Sequence, residues 1–401
     1  MTKFVTAFAG RRDSYQVPLA LEEAGRLGRL ITSGYATPAA RLMAGLMPAS
    51  ARATLMARRC VGLPDARVTA SWRAEAYEQA GRLLRLPPPR YWARVNRTLS
   101  EAAGREASRT GADLLLYEPY AVEAFARPYP RRTPRKVLFH FHPHPDFEAQ
   151  ILDADTRQSG FAFAWPTPDG GGNRDTHNLA VRAVWRRADL ILCASSLTRR
   201  SVIAAGASPE MCRVVPYGCE AADARPGYAG DGRYRVLFVG SGIQRKGLHH
   251  LLKAWAMAGL PAGAELTLVC RTIDPALAEL AYKTVGCVLL PGVPSARLRE
   301  LFRATDLFAL PSLLEGFGLS YLEAMAEGCP VLGTDATGVP DLGTEADGAF
   351  SVPAGDAPAL AAALERGAAR AGDLALRRAA WATARRFTWE RFRNQLVTEL
   401  R

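Results

Sequence analysis

The sequence has few of the features that mark a membrane-spanning or disulfide-rich protein. Its 401 residues contain no run of about eighteen apolar residues, the length that a transmembrane helix needs. The apolar stretch at residues 4–9 is long enough for a strand but too short for a secretory signal. Seven scattered cysteines, never spaced as C-x-x-C, argue against a disulfide framework or a zinc site and favour a reducing cytoplasm.

Lysine is also scarce. Only five of the 51 basic residues are lysine, so arginine supplies nearly all of the formal net charge of +12. Such a surplus favours anionic partners, which include nucleotide phosphates, anionic lipids and nucleic acids. The sequence shows no recognised nucleic-acid-binding module and no aromatic-basic platform, so we expect no nucleic-acid partner. A basic nucleic-acid-binding protein is kept as the most distant alternative.

Short apolar runs alternate with helical patterns along the chain, which is typical of an α/β protein. The alternation begins again after Gly218, and the chain is longer than one hydrophobic core usually allows. We therefore predict two Rossmann-like domains that face each other across a cleft, at residues 1–218 and 232–385. The segment 219–231, rich in Gly, Ala, Asp and Pro, is the predicted linker, and residues 386–401 are a predicted helix.

Between about residues 36 and 109 strand patterns are nearly absent, and arginines interleave with Leu, Met, Ala and Trp. We interpret this segment as basic amphipathic helices inserted into the first domain. One interpretation is a solvated basic face over ordinary core contacts, which we favour. The other is a region that binds the acceptor or an anionic membrane surface. A separate Pro- and Gly-rich stretch at residues 165–173 is interpreted as a surface loop.

A glycine-bearing turn in the second domain is the first candidate for phosphate binding. Gly240-Ser241-Gly242 follows a predicted strand, and a helix is predicted to begin after Gly247. Arg245 and Lys246 lie between them as two adjacent cations, which can neutralise a pyrophosphate. Basic loops are common surface features, so this turn is a moderate indication by itself.

A second candidate follows the next buried strand, which ends at Ser312. There Glu315-Gly316-Phe317-Gly318 precedes a helical pattern that begins at Leu319. The N–H groups at the start of that helix suit a phosphate. Glu323 falls about one turn later, so two carboxylates flank the helix start. A nucleotide sugar, with hydroxyl groups on both sides of its diphosphate, has the matching shape.

These segments resemble the retaining glycosyltransferases of family 4, which have the GT-B architecture. The signature of that family is two glutamates separated by seven residues, matched here by Glu315 and Glu323. Other segments that resemble the family are residues 188–196, 214–218, 328–334, 338–342 and 387–390. The resemblance covers residues 188–401 well and the first half weakly.

The resemblance implies roles for individual residues. Arg245 and Lys246 would bind the diphosphate, Glu323 the ribose hydroxyls and Glu315 the hydroxyls of the donor sugar. Further donor contacts are implied at Gly240, Ser241, Arg271, Ser312, Phe317, Gly318 and Leu319. The sequence departs from the family at Ser241, where many members have arginine. It departs again at residues 270–272, which replace a glycine-rich turn near the base.

In the first domain His140, His142 and His144 alternate at the end of a predicted strand. This spacing suits a metal, but prolines interrupt the strand and no carboxylates are clearly arranged as ligands. The resemblance implies instead that one histidine contacts the donor sugar, with His142 as the first choice and His140 as the second. Gly10 and Arg11 follow the first strand, at the place of the family's acceptor loop.

Asp153-Ala154-Asp155 matches the D-x-D manganese motif of other glycosyltransferases. Its surroundings are helical and it lies in the first domain, whereas that motif requires a strand end beside the donor. We therefore expect no divalent-metal requirement and no cofactor apart from the nucleotide-sugar co-substrate.

By this resemblance, the protein would transfer a sugar with retention from a nucleoside diphosphate to an acceptor hydroxyl, in cell-envelope or polysaccharide synthesis. The acceptor would be a glycan, a lipid-linked molecule or a small molecule. The alternative is another sugar-nucleotide enzyme or a phosphorylase of the same fold. The expected location is the cytoplasm, with peripheral contact to the inner face of the membrane left open. The last helix is expected to cross back to the first domain.

Overall fold

A computed structural model describes residues 2–86, 88–165, 176–220, 227 and 232–401. Most of the predicted loop at residues 165–173 and most of the predicted linker at residues 219–231 lie outside the described residues. Among the helices of the described part, none combines the length and the apolar character needed to cross a membrane.

Seven parallel strands form the first sheet, in the order β3-β2-β1-β4-β5-β6-β7. They are β1 (Phe4–Phe8), β2 (Leu27–Thr32), β3 (Val68–Ala70), β4 (Asp113–Tyr117), β5 (Lys136–His140), β6 (Leu190–Cys193) and β7 (Cys212–Val214). The helices between them are α1 (Gln16–Glu23), α2 (Pro38–Met43), α3 (Ala49–Met56), α4 (Trp72–Leu83), α5 (Pro88–Thr110), α6 (Val122–Ala126), α7 (Pro145–Ser159), α8 (Thr176–Ala183) and α9 (Ser196–Ala204). The central strands are buried along their whole length, as strands covered by helices on both faces must be.

Six parallel strands form the second sheet, in the order β10-β9-β8-β11-β12-β13. They are β8 (Arg235–Val239), β9 (Glu265–Val269), β10 (Cys287–Leu290), β11 (Leu307–Ala309), β12 (Val331–Thr334) and β13 (Ala349–Val352). The helices are α10 (Leu248–Met257), α11 (Pro275–Lys283), α12 (Ser295–Arg303), α13 (Leu319–Ala326), α14 (Val339–Leu342), α15 (Ala357–Ala368), α16 (Leu374–Ala384) and α17 (Trp389–Glu399).

The two sheets share one topology. In each, the chain runs outward over three strands and then returns to the middle, between β1 and β4 in the first sheet and between β8 and β11 in the second. Ligands of such sheets bind in the crevice at the carboxyl ends of the strands where the order reverses. The prediction of two Rossmann-like domains is confirmed. The topology predicts that ligands bind at the loops after these four strands.

The structure corrects the interpretation of residues 36–109. Strand β3 lies in this segment and pairs in parallel with β2, so it is part of the sheet. Helix α5 packs against β1 and β2, with Val95 and Leu99 fully buried, and so belongs to the core of the domain. A three-residue edge strand leaves too little alternation to be recognised from sequence, which is why the whole segment reads as helical insertion.

The last helix, α17, lies against the first domain. It packs on α1, and Arg393 pairs with Glu23 at 2.7 Å. Phe392 is buried between the rings of Tyr217, at 5.6 Å, and Phe139, at 6.0 Å. Helix α17 therefore contributes side chains to the core of the first domain, although it follows the second domain in the chain.

The substitution Phe392→Ala is expected to lower the free energy of unfolding by about 3–5 kcal/mol, because it removes a fully buried ring. Chemical denaturation followed by circular dichroism measures the change. Tyr282→Ala is the matched control, since Tyr282 is 76% exposed and its loss should cost less than about 0.5 kcal/mol. Equal effects of the two substitutions would contradict the proposed role of α17.

Candidate active site

The loop after β8 is held by two glycines that permit close backbone contacts. A Cβ on Gly242 would lie 2.4 Å from the side chain of Ile273. Gly247 has φ +64°, and a Cβ there would lie 1.9 Å from the carbonyl oxygen of Pro311, just after β11. Between the two glycines, the 3-10 turn Gln244–Lys246 presents both cations predicted from the sequence. The loops after β8 and β11 are thus packed directly against each other.

Glu315, on the loop after β11, receives both of these cations. Arg245 donates to its Oε2 at 3.1 Å, and Lys246 donates to the same oxygen. The three side chains are between 13% and 16% exposed, so the group is sheltered but reachable from the cleft. The sequence-predicted phosphate-binding cations and the first glutamate of the signature therefore meet at one point.

The charges of this group determine its ionisation. Burial acts to raise the pKa of Glu315, but the charges of Lys246 and Arg245 outweigh it and lower that pKa to about 2. Glu315 is therefore a carboxylate at neutral pH, and it accepts hydrogen bonds from both cations.

Gly316 brings this loop against the first domain. A Cβ on Gly316 would lie 2.0 Å from the carbonyl oxygen of Phe141 and 3.2 Å from the Cα of His142. On the other side, Ser195 Oγ donates to the Gly316 carbonyl oxygen, and the Ser196 N–H donates to Asp341 at 2.8 Å. The two domains are in direct contact here, without room for a side chain at residue 316.

His142 is the histidine that reaches this contact. It follows β5, and its side chain is 29% exposed. Its Nδ1 lies 3.6 Å from Glu148, and the other oxygen of Glu148 lies 3.8 Å from Arg245 Nε. A chain of charged and polar groups therefore runs from His142 in the first domain to Arg245 and Glu315 in the second.

Helix α13 begins beside Glu315. Its N-cap residue, Gly318, has φ +86° and offers no side chain to the first N–H groups of the helix. Glu323 lies on the second turn of α13, and desolvation raises the pKa of its carboxyl group. Along the chain, the start of α13 lies between Glu315 and Glu323.

The remaining predicted donor residues differ in accessibility. Ser312 and Phe317 are buried, and Phe317 packs on Tyr217 of the first domain at 6.1 Å between ring centres. Ser241 Oγ accepts from Thr272 at 3.3 Å on the exposed rim. Gly240 and Arg271 lie on loops at the carboxyl edge of the second sheet, where Arg271 is exposed, and Leu319 is the first residue of α13.

His140 and His144 have other partners. His140 is 3% exposed at the end of β5, where its Nδ1 contacts the carboxylate of Glu118. Burial is the main cause that lowers the pKa of His140 to about 3, and the charges of His144 and His142 lower it further. The imidazole of His140 is therefore neutral at pH 7. His144 caps α7, and its Nε2 lies 2.9 Å from the Arg182 carbonyl oxygen. Of the three alternating histidines, the structure therefore offers His142 to the cleft.

The loop after β1 contains a residue that sequence reasoning missed. Gly10 has φ +66° and is fixed through Ser33, while Arg11 is exposed. The side chain that turns toward β4 and β5 is Arg12, whose guanidinium lies 4.2 Å from the ring centre of Phe141 and 5.1 Å from that of Tyr117. The sequence shows Arg11 and Arg12 together after the end of β1. The backbone turn then determines that Arg12, and not Arg11, faces Phe141.

Part of the second domain matches a known family. Residues 233–369 match the family model described as glycosyl transferases group 1. The chain is 30% identical over 162 residues to MMP alpha-(1->4)-mannosyltransferase of Mycolicibacterium hassiacum, covering 39% of each chain. It is 33% identical over 181 residues to D-inositol 3-phosphate glycosyltransferase of Acidothermus cellulolyticus, covering 38% of this chain and 40% of the relative. The matches thus span about two fifths of these relatives.

Solved structures match over the full chain. Sucrose-phosphate synthase from Thermosynechococcus elongatus has a TM-score of 0.69 and 19% identity, covering 100% of this chain and 98% of that one. Anabaena HepE, solved in complex with UDP-glucose, has a TM-score of 0.61 and 18% identity, covering 100% and 99%. The fold is therefore that of the GT-B glycosyltransferases, as the sequence resemblance implies.

The substitution Gly316→Ala is expected to lower the free energy of unfolding by about 1–3 kcal/mol, because the methyl group would press into the Phe141 carbonyl. Gly240→Ala is the matched control, since the nearest atoms to a Cβ there are 3.7 Å away. Thermal unfolding compares the two. A loss of stability in the control as large as that in Gly316→Ala would show that the domain contact is not responsible.

Proposed function

We propose that this protein is a glycosyltransferase that moves a sugar from a nucleoside diphosphate to an acceptor hydroxyl with retention of configuration. The bond between the anomeric carbon and the diphosphate oxygen breaks, and a bond from that carbon to the acceptor oxygen forms. The acceptor proton passes to the leaving phosphate. Support for the reaction class comes from the family match at residues 233–369 and from the mannosyl- and glycosyltransferases among the relatives.

The observation that carries this proposal is the meeting of Arg245 and Lys246 with Glu315 beside the α13 N-terminus. The site lies where strand order reverses between β8 and β11, the expected ligand position in such a sheet. Two cations and the N–H groups of a helix start provide a positive environment for a diphosphate. They would stabilise the charge that develops on the leaving group, which is how such sites lower a barrier.

In this scheme Glu315 changes partners when the donor binds. Its carboxylate holds the two cations in place without ligand, and the diphosphate takes over their hydrogen bonds. Glu315 then faces the hydroxyl groups of the donor sugar, while Glu323, farther along α13, faces the ribose. His142 approaches the donor sugar from the first domain. We propose that the paired cations take the place of a divalent metal ion in this reaction.

On the acceptor side, Arg12 extends the proposed site. Its guanidinium stacks on Phe141, the residue before His142, so a positive charge lies at the carboxyl edge of the first sheet. Gly10 and Arg11 belong to the same loop. We propose that this loop contacts the acceptor.

The variants Lys246→Ala and Glu323→Ala are each expected to lower kcat/KM at least about tenfold, a loss of roughly 1.4 kcal/mol in transition-state stabilisation. A thermal-shift screen of UDP-, GDP-, ADP- and dTDP-sugars first identifies the donor, because a ligand that binds the native state raises Tm. Lys283→Ala is the matched control. Lys283 is 70% exposed and pairs with Glu279 on α11, so its variant should retain full activity.

Unchanged turnover in both site variants would refute the assignment of the donor site. Release of a sugar phosphate from a glycan with inorganic phosphate, without any response to nucleotide sugars, would favour the phosphorylase alternative. Retention of DNA at low salt without saturable UDP or GDP binding would favour a nucleic-acid-binding protein.

Peripheral contact with an anionic membrane is a second proposal, and it depends on the surface of α2 and α3. Leu42 is 83% exposed, Met43 58%, Met47 40% and Met56 42%. Arg52 and Arg59 are exposed on the same stretch of chain. Apolar side chains that can enter the interface, with arginines for lipid head groups, form the combination that such contact requires.

The double variant Leu42→Ser/Met43→Ser is expected to weaken binding to vesicles containing phosphatidylglycerol at least about a hundredfold in co-sedimentation, because each of the two apolar side chains contributes about 1.5–3 kcal/mol when it is buried. Tyr282→Ser/Val285→Ser is the matched control, with two residues that are 76% and 90% exposed elsewhere. Neutral vesicles test the role of charge. Binding that ignores lipid charge, or that both double variants weaken equally, would contradict this proposal.

A further inference from the structure

Helix α7 of the first domain and helix α10 of the second meet at three buried side chains that the proposed reaction does not use. Asp155 Oδ1 lies 2.6 Å from His250 Nε2, and its two oxygens lie 3.1 and 3.2 Å from His249 Nε2. All three residues are less than 9% exposed. One ligand atom from each residue lies within 4.8 Å of the others.

This convergence requires a specific packing, because neighbouring residues on a helix normally point in different directions. The rings of His249 and His250 lie only 4.0 Å apart between centres. Phe161 and Phe163 pack on His249 at 5.7 and 5.1 Å, which fixes the orientation of its ring. Aromatic packing replaces the usual hydrogen bond at the second ring nitrogen, since His249 Nδ1 has no hydrogen-bond partner among the described residues.

Asp155 is itself held in position by Gln244, whose amide donates to Asp155 Oδ2 at 2.8 Å. The same nitrogen lies 2.9 Å from the Leu152 carbonyl oxygen and 2.8 Å from Thr156 Oγ1, so three acceptors of α7 share its two hydrogens. A carboxylate fixed by a neighbouring amide is a typical outer-shell arrangement at a metal site. Gln244 also belongs to the turn that carries Arg245 and Lys246.

The residue types suit a divalent transition metal, because carboxylate oxygens and imidazole nitrogens are its common protein ligands. Lys253, which lines the neighbouring cavity, is exposed and can turn its charge to solvent.

A cavity of about 1080 Å³ borders all three side chains. It provides an entry path from solvent and room for a water molecule as a further ligand. A site with three protein ligands and one open position is the arrangement of zinc sites that keep an exchangeable water.

We propose that Asp155, His249 and His250 bind one divalent transition-metal ion, with Zn²⁺ the expected ion and water as the fourth ligand. Zinc bonds of about 2.0–2.2 Å place tetrahedral ligand atoms about 3.3 Å apart. His249 already has that spacing from Asp155, and His250 reaches it by moving outward by less than about 1 Å.

The ion joins the two domains at the base of the turn Gln244–Lys246. It differs from a D-x-D manganese site, because two of its three ligands are histidines of the second domain. Its ligands do not include Glu315, so metal binding here is independent of sugar transfer.

The test uses the full chain, stripped of metal with a chelator and titrated with Co²⁺ and Zn²⁺. We expect the intense visible absorption of four-coordinate Co²⁺ at one ion per chain, its loss on addition of Zn²⁺, and a rise of Tm with Zn²⁺. The absence of a stoichiometric Co²⁺ spectrum from the natively folded wild-type protein would overturn the proposal and leave a hydrogen-bonded His-Asp-His group.

The variants His249→Gln, His250→Gln and Asp155→Asn are each expected to weaken Zn²⁺ binding at least about tenfold. His142→Gln is the matched control for metal binding and should keep wild-type affinity. Near-ultraviolet circular dichroism of the metal-free proteins shows whether each variant folds. If a histidine variant does not fold, the Zn²⁺ affinity of Asp155→Asn tests the site, because this substitution keeps the shape of the side chain. Wild-type affinity in a folded Asp155→Asn variant would refute the site.

Discussion

The arrangement of the cleft depends on the close backbone contact between Gly316 and Phe141. A Cβ on residue 316 would lie 2.0 Å from the Phe141 carbonyl oxygen, so only glycine lets the two loops touch. Because Glu315 precedes this glycine and His142 follows Phe141, the contact places a carboxylate of one domain next to an imidazole of the other. Residues of the first sheet and residues of the second thereby form a single site.

Two cations and two carboxylates offset one another at this contact. Arg245 and Lys246 are largely buried, and an unpaired charge in such surroundings would cost several kcal/mol. Glu315 pairs with both cations and Glu148 lies 3.8 Å from Arg245, so neither cation is left without a carboxylate. Under the proposed function, a diphosphate would meet two cations that are already close to the α13 N-terminus and would exchange Glu315 for its own oxygens as their partner.

A second network supports the site from the first domain. Asp13 accepts hydrogen bonds at 2.8 Å from both Tyr117 and Tyr217. Tyr117 is the last residue of β4, and Tyr217 lies on the chain segment that leaves the first domain. Tyr217 packs in turn on Phe317 and on Phe392 of α17. The last helix, the loop after β1 and the signature loop are thus connected through one aromatic cluster, which explains why α17 lies against the first domain.

The sequence by itself determined the fold class and the residues that meet at the candidate site of the second domain, Arg245, Lys246 and Glu315. Strand-helix alternation and the spacing from Arg245 to Glu323 are local patterns, and parallel strands bring the loops after β8 and β11 to one edge of the sheet. Only the tertiary structure decided the features that depend on contacts between residues far apart in the chain. His140 is buried against Glu118, and the backbone turn after Gly10 points Arg12 toward Phe141. Strand β3 is defined by its pairing with β2. Asp155 meets His249 and His250 across 94 and 95 positions of sequence, a separation over which no local periodicity specifies a contact.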